Sequence, residues 1–320
     1  MVEAFAVASG KGGTGKTTST LALGMALADS YDVTVVDADT GMANLLFHAG
    51  LSDADATLHD VLVEGGPSVE AATYERFGMS VVPCGTSLAA FERADPDRLR
   101  DVVADLASDT DVLLLDSPAT LGSKAAVLPV VLADRAIVVL QPTVPALSDG
   151  LKVQEYALSY GTDIAGVLFN KVHDGDDGVA QQADRYFEGP TLAEVPDADA
   201  ARAARSAGEP LLAYAPESAA AETFRQAADA LAVLVELVVG DVPDCHAVAV
   251  EAGDDVVDDT ADALDAAVLA QALDAVEHRR HVHVEVGGDV GVRRQRQRKA
   301  VLNREQEAAV ERGEVAGGLL

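Results

Sequence analysis

Ser9-Gly10-Lys11-Gly12-Gly13-Thr14-Gly15-Lys16-Thr17-Thr18 is the stretch whose reading decides the fold. It contains the pattern G-x-x-x-x-G-K-[ST], from Gly10 through Gly15, Lys16 and Thr17. Glycines here let the backbone take conformations closed to residues with a Cβ, so that successive N–H groups can turn inward and cradle phosphate oxygens. Before it, Ala4–Ala8 is short and apolar, as a buried parallel strand should be. After it, Thr17–Ala28 carries Leu21, Leu23, Met25 and Leu27 among alanines and reads as a helix. Strand, glycine loop and helix are the setting this pattern needs, and the helix N-terminus adds partial positive charge for a bound anion. The pattern assigns Lys16 to the β- and γ-phosphates of a nucleotide and the Thr17 hydroxyl to Mg²⁺. Lys11, directly after the first glycine, is a second lysine that the general pattern does not require.

Strands and helices alternate outward from this loop to about residue 239, which predicts βαβ units, a mostly parallel, doubly wound sheet and an α/β fold. The expected strands are Ala4–Ala8, Val33–Val36, Ser80–Val82, Val112–Leu115, Ala136–Leu140, Ile164–Phe169 and a short Thr191–Val195. The expected helices are Thr17–Ala28, Leu58–Val63, Pro96–Ala107, Ser123–Leu132, Pro145–Ser159, Val179–Phe187, Ala198–Ala207 and Glu217–Leu237. Residues 1–239 are thus expected to form one domain. Residues 240–320 change composition, first acidic with one helical patch at Leu264–Val276, then rich in Arg and His, and read as a largely disordered tail. The change is abrupt enough that a reading-frame artefact is a second explanation for the Arg-rich end.

Two strands end in aspartate: Val36-Asp37-Ala38-Asp39 and Leu115-Asp116-Ser117. Ligands of open parallel sheets bind at the carboxyl ends of strands, where a carboxylate can support Mg²⁺ or orient an attacking water. A lone Asp after an apolar strand often only caps a loop; two of them with a phosphate loop form a set. A third strand ends in Asn170-Lys171, and an Asn amide offers a donor and an acceptor suited to a purine edge.

These segments resemble the MinD/ParA group of P-loop ATPases with a deviant Walker A motif. The resemblance rests on Lys11–Thr18, Asp37-Ala38-Asp39-Thr40-Gly41-Met42-Ala43-Asn44-Leu45, Val82-Pro83-Cys84-Gly85, Asp116-Ser117-Pro118-Ala119, Asn170-Lys171 and Glu194-Val195-Pro196-Asp197, in order over residues 1–239. MinD looks closer than ParA, because the Gly41 to Leu45 and Asp116 to Ala119 segments look like its two switch segments. The resemblance implies an ATP hydrolase using ATP and Mg²⁺. Gly10, Lys11, Gly12, Gly13, Thr14, Gly15, Lys16, Thr17 and Thr18 would hold the phosphates. Lys11 would cross to the nucleotide of a second copy in an ATP-state homodimer. Asp39 would orient the water, Thr17, Asp37 and Asp116 would serve the metal, and Asn170 with the backbone near Pro196 and Asp197 would hold adenine. Lys11, Lys16, Asp39 and Asp116 are then the catalytic candidates. The function implied is a spatial switch that positions or partitions cellular components with an unknown protein activator or cargo. The competing reading is a metabolic ATP-dependent enzyme of related fold, of cobyrinic-acid amidase or dethiobiotin-synthetase type. An amidase would need a glutaminase domain with a nucleophilic Cys and a partner His, and the tail does not read as one.

Bulk composition narrows the setting. The chain has 320 residues, and its 49% hydrophobic content is enough for a large core. No apolar run reaches the ~18 residues of a membrane span, and no basic region precedes the first strand, so the expectation is a cytoplasmic protein with no secretory leader. Recruitment to a membrane or pole would come through a partner. The net charge of −30 argues against DNA binding and suits a halophile's cytoplasm. Direct membrane binding by the MinD route is not expected either: the 264–276 patch carries Asp262, Asp265 and Asp274 around it, and the Arg293–Lys299 run lacks an apolar face. Two cysteines, Cys84 and Cys245, make no C-x-x-C pair, so Cys84 reads as structural and Cys245 as incidental. His278, His281 and His283 match no common metal spacing.

Overall fold

The computed structural model describes residues 2–119, 124–173, 179, 183 and 185–239. The expected tail over 240–320 lies outside the described residues, as do residues 180–182 and 184 of the helix expected over 179–187.

Among the described residues eight strands form one sheet: β1 (Glu3–Ala8), β2 (Val33–Asp37), β3 (Tyr74–Arg76), β4 (Met79–Val82), β5 (Val112–Asp116), β6 (Arg135–Leu140), β7 (Asp163–Val172) and β8 (Thr191–Pro196). Their order is β3-β4-β2-β5-β1-β6-β7-β8, and every pairing is parallel except β3 with β4. Among the described residues the helices are α1 (Lys16–Leu27), α2 (Leu45–His48), α3 (Leu58–Val61), α4 (Leu88–Arg93), α5 (Leu99–Leu106), α6 (Lys124–Leu132), α7 (Val144–Ser159), α8 (Asp199–Ala207), α9 (Leu211–Tyr214) and α10 (Ala219–Val239). The fold is the doubly wound α/β class that the alternation of apolar runs predicts.

Strand composition explains the layering. Every residue of β1, β2, β5 and β6 is buried. Side chains alternate faces along a strand, so unbroken apolar runs mean cover on both sides. Phe5 and Val7 of β1 join Val112 and Leu114 of β5 in a core closed by Leu21, Leu23 and Leu27 of α1 and by Phe224, Leu231 and Val235 of α10. The intervening Leu113 and Leu115 are equally buried outside that cluster. Each fully buried Leu or Phe stabilises the fold by roughly 1.5–3 kcal/mol relative to an exposed one.

Where the structure differs from the sequence expectation, short elements are the reason. β3 was not anticipated. It is an antiparallel edge strand turned onto β4 by Phe77 and Gly78, whose φ values of 54° and 81° make the two-residue left-handed turn that hairpins favour. Pro96–Ala107 is not one helix: a 3₁₀ turn, Pro96–Arg98, capped by the Asp95 carboxylate on the Asp97 N–H, leads into α5. The four- to six-residue helices α2, α4 and α9 are too short to show periodicity. Among the described residues no helix is long and apolar enough to cross a membrane.

β1 lies at the sheet's centre between β5 and β6, and its C-terminal end is where the winding direction changes. The crevice at such a switch point is where ligands of these sheets bind, and the Ser9–Gly15 loop occupies it.

Candidate functional site

The loop leaves β1 with every strand-to-helix turn geometry supplied by glycine: Gly13 has φ 78° and Gly15, which caps α1, has φ 105°. Ser9 is wholly buried, and its hydroxyl donates to the Lys11 carbonyl at 2.7 Å while accepting from Lys16 Nζ at 3.1 Å. Lys16 is 8% exposed; burial lowers its pKa from the ordinary value, opposed by Asp116 and Asp39. Lys11 stands on the exposed rim of the same loop. The two lysines of the decapeptide therefore sit in opposite environments, one folded into the loop and one presented to solvent.

Asp116 ends β5 beside Asp37 of β2, and the two are register partners. Thr17 Oγ1 donates to Asp116 Oδ2 at 2.6 Å, and Thr20 Oγ1 lies 3.2 Å from Asp116 Oδ1. Burial pushes the Asp116 carboxyl up to about 6; the Thr17 hydrogen bond and Lys16 pull it back, and Asp39 pushes it further up. Asp37 is raised well above the ordinary range by burial, then by Asp116 and Asp39. Its Oδ2 accepts the Leu45 N–H at 3.2 Å, while Oδ1 is buried without a hydrogen-bond partner. Asp39 sits at the mouth of the site with Oδ1 on the Met42 N–H at 3.0 Å, holding the turn that leads into α2.

The geometry fits a metal–phosphate ligand. Two buried carboxylates with raised pKa values, one carrying an orphaned oxygen, form an acidic pocket that a divalent cation would relieve. Thr17 sits against Asp116, so hydroxyl and carboxylate oxygens, the hard donors Mg²⁺ takes, are adjacent. Bound there, Mg²⁺ would neutralise charge on phosphate oxygens. The Thr14 hydroxyl is also buried without a partner.

Other predicted residues fall elsewhere. Thr18, one position around α1 from Thr17, turns away from the carboxylates and lines a hollow with His48, Ala201 and Arg205. Asn170 lies two residues before the end of β7 as register partner of Val195, close to Pro196 and Asp197 at the end of β8. The Asn170 amide is engaged with the loop, Nδ2 donating to the Thr14 carbonyl at 2.8 Å. The Asp197 N–H donates to the Val172 carbonyl at 3.0 Å, and its carboxylate accepts from Arg202 at 3.0 and 3.1 Å. Cys84 is fully buried, and burial followed by Asp37 and Asp39 drives its thiol pKa well up, which keeps it an unreactive thiol. Cys245 and the three tail histidines lie outside the described residues.

Sequence reasoning passed over Ser9, Thr20 and Lys171. Thr20 was reachable, since it lies three residues after Thr17 on the same helix face. Ser9 stood inside the quoted decapeptide but belongs to no phosphate-binding pattern. Lys171 Nζ donates to the Gly13 carbonyl at 2.7 Å, a contact no local signal announces.

Residues 5–211 match the model of the CobQ/CobB/MinD/ParA nucleotide binding domain. An uncharacterized ATP-binding protein of Methanocaldococcus jannaschii is 38% identical over 211 residues, 65% of this chain and 79% of that protein. Among solved structures, the cell division ATPase MinD of Pyrococcus furiosus superposes with a TM-score of 0.68 at 34% identity, over 73% of this chain and 100% of its own. The septum site-determining protein MinD of Pyrococcus horikoshii, solved with Mg-ADP, gives 0.68 at 32% identity, over 74% of this chain and 98% of its own.

Proposed function

Because this chain belongs to the CobQ/CobB/MinD/ParA nucleotide-binding domain family, we propose that it is a MinD-like ATPase whose ATP-dependent homodimerisation and slow hydrolysis act as a spatial switch. The observation that carries this is the division of labour between the two lysines. Lys16 is buried against Ser9 and near Asp116, committed to its own site. Lys11 is exposed on the rim. A cation displayed there is available to the phosphates of a second copy, and tying charge neutralisation to association lets nucleotide state gate assembly. Lys16 would hold the β- and γ-phosphates, Thr17, Asp37 and Asp116 would serve Mg²⁺, and Asp39, at the mouth, would orient the water. Phosphoryl transfer asks for positioning and charge more than covalent chemistry, and these residues supply both. Adenine would lie toward Asn170, Pro196 and Asp197.

Light scattering with a slowly hydrolysed ATP analogue tests the reading. Wild type dimerises; Lys11→Ala binds the analogue with near-normal affinity and stays monomeric. Full dimerisation by that variant would remove the argument from Lys11. Stoichiometric, acceptor-dependent ATP use with cobyrinic-acid or dethiobiotin-type acceptors would favour the metabolic reading instead.

A further inference from the structure

Two consecutive side chains at the end of β7 hold two consecutive carbonyls of the phosphate loop. Asn170 Nδ2 donates to the Thr14 carbonyl at 2.8 Å, and Lys171 Nζ donates to the Gly13 carbonyl at 2.7 Å. Asn170 Oδ1 accepts the Lys171 N–H at 2.9 Å, which ties the pair together.

Adjacent strand residues normally point to opposite faces, so 170 and 171 should not reach the same target. A bulge resolves this. Asn170 pairs with Val195 and Val172 with Pro196, which leaves Lys171 as the extra residue. Its φ is 60°, a left-handed conformation unfavourable to a side-chain-bearing residue. Bulges re-aim side chains beside functional sites, and local strain of this kind persists where the surroundings over-determine it. The approach is also close: a Cβ on Gly15 would lie 2.0 Å from Asn170 Nδ2, so glycine at 15 is required by the brace as well as by its φ of 105°.

In a planar trans peptide the C=O and the following N–H point in opposite directions. Pinning the Gly13 carbonyl toward β7 therefore aims the Thr14 N–H away from β7, and pinning the Thr14 carbonyl does the same for the Gly15 N–H. These are amides of the loop that cradles phosphate.

We propose that Lys171, with Asn170, braces the phosphate loop: it is a positioning residue that pre-orients the Thr14 and Gly15 amides toward nucleotide phosphate without touching the nucleotide. This rests on nucleotide binding at the loop and is independent of the dimer switch.

The test is displacement of a fluorescent ADP analogue, with Mg²⁺, by unlabelled ADP and by adenosine, which has no phosphate. Lys171→Met is expected to weaken ADP about tenfold, the loss of one charge-assisted hydrogen bond, and to leave adenosine within about twofold. Lys171→Arg should recover most of the ADP affinity. Lys171→Gly keeps the left-handed backbone unstrained and removes the whole side chain, ammonium included, so it should match the Met variant and serves if that variant folds poorly. Wild-type ADP affinity in both Met and Gly variants, or an equal fall for ADP and adenosine, would overturn the brace. A wild-type chain that bound no ADP would overturn the nucleotide reading beneath it, whereas a chain that bound ADP and failed to dimerise would leave the brace standing.

Discussion

Asp37 and Asp116 end adjacent parallel strands as register partners, both buried, with the Asp116 carboxyl pushed up to about 6 and Asp37 also raised. Two acids so placed oppose each other's ionisation, and the nucleotide-free fold bears the cost. An acid whose folded pKa lies above its unfolded value binds its proton more tightly when folded. Stability from this source is thus full below about pH 4 and declines as pH rises through about 6. The penalty above that point is ~3 kcal/mol for Asp116. Asp116→Asn should therefore stabilise the nucleotide-free protein in urea melts, and its advantage over wild type should grow between pH 5 and 7.5. Mg-ADP should stabilise the wild type more than the variant. An advantage independent of pH would refute the burial argument.

Asp39 differs from that pair in lying at the mouth, with one carboxylate oxygen on the Met42 N–H. Asp39→Ala should keep nucleotide binding, cut ATP turnover about 100-fold and prolong the ATP-state dimer. Phosphate release measured alongside light scattering checks both halves. Turnover near the wild-type rate would take the water-positioning role away from Asp39.

Gly24 of α1 packs closely against the sheet. An added Cβ would meet Met79 Sδ and Val35 Cγ2, each at 2.8 Å. Met79 can swing aside, but Val35 is stiff at χ1. Ala raises helix propensity by roughly 1 kcal/mol, against overpacking of roughly 1–3 kcal/mol. Gly24→Ala should be destabilising by about 1 kcal/mol, the difference between those two ranges, in a denaturant melt. A more stable variant would show that α1 can lift off the sheet.

Glu3 of β1 and Arg135 of β6 form a buried ion pair far in sequence and adjacent in the sheet. Arg135→Met takes the guanidinium away from a buried carboxylate and should cost about 3–5 kcal/mol. Adding Glu3→Gln should recover more than half of that loss, because a neutral amide no longer needs the guanidinium. Unfolding free energies of the two variants decide the matter.

Strand existence was legible wherever burial on both faces made a continuous apolar run, as in Leu113-Leu114-Leu115 and Val138-Val139-Leu140. The phosphate loop was legible because its glycines, lysine and threonine act within ten consecutive residues. Less legible were features in which the partner is remote. β3 has three residues and owes its place to pairing with β4, and the α5 region divides because Asp95 and Pro96 favour a tight turn before the helix proper. Asn170 illustrates the limit. Its place near the end of a strand could be read, but the hydrogen bond from its side-chain amide to the Thr14 carbonyl, 156 residues away, could not.

The sequence by itself determined the fold class and the phosphate-binding loop, because periodicity, glycine placement and the G-K-T triplet are local properties. Only the tertiary structure decided which groups share a charge environment and which are presented to solvent. Strand register set Asp37 beside Asp116, a bulge at Lys171 turned two neighbouring side chains onto one loop, and burial separated Lys16 from Lys11. Hydrogen bonds and ionisation depend on distance and desolvation, which are settled when segments far apart in the chain pack together.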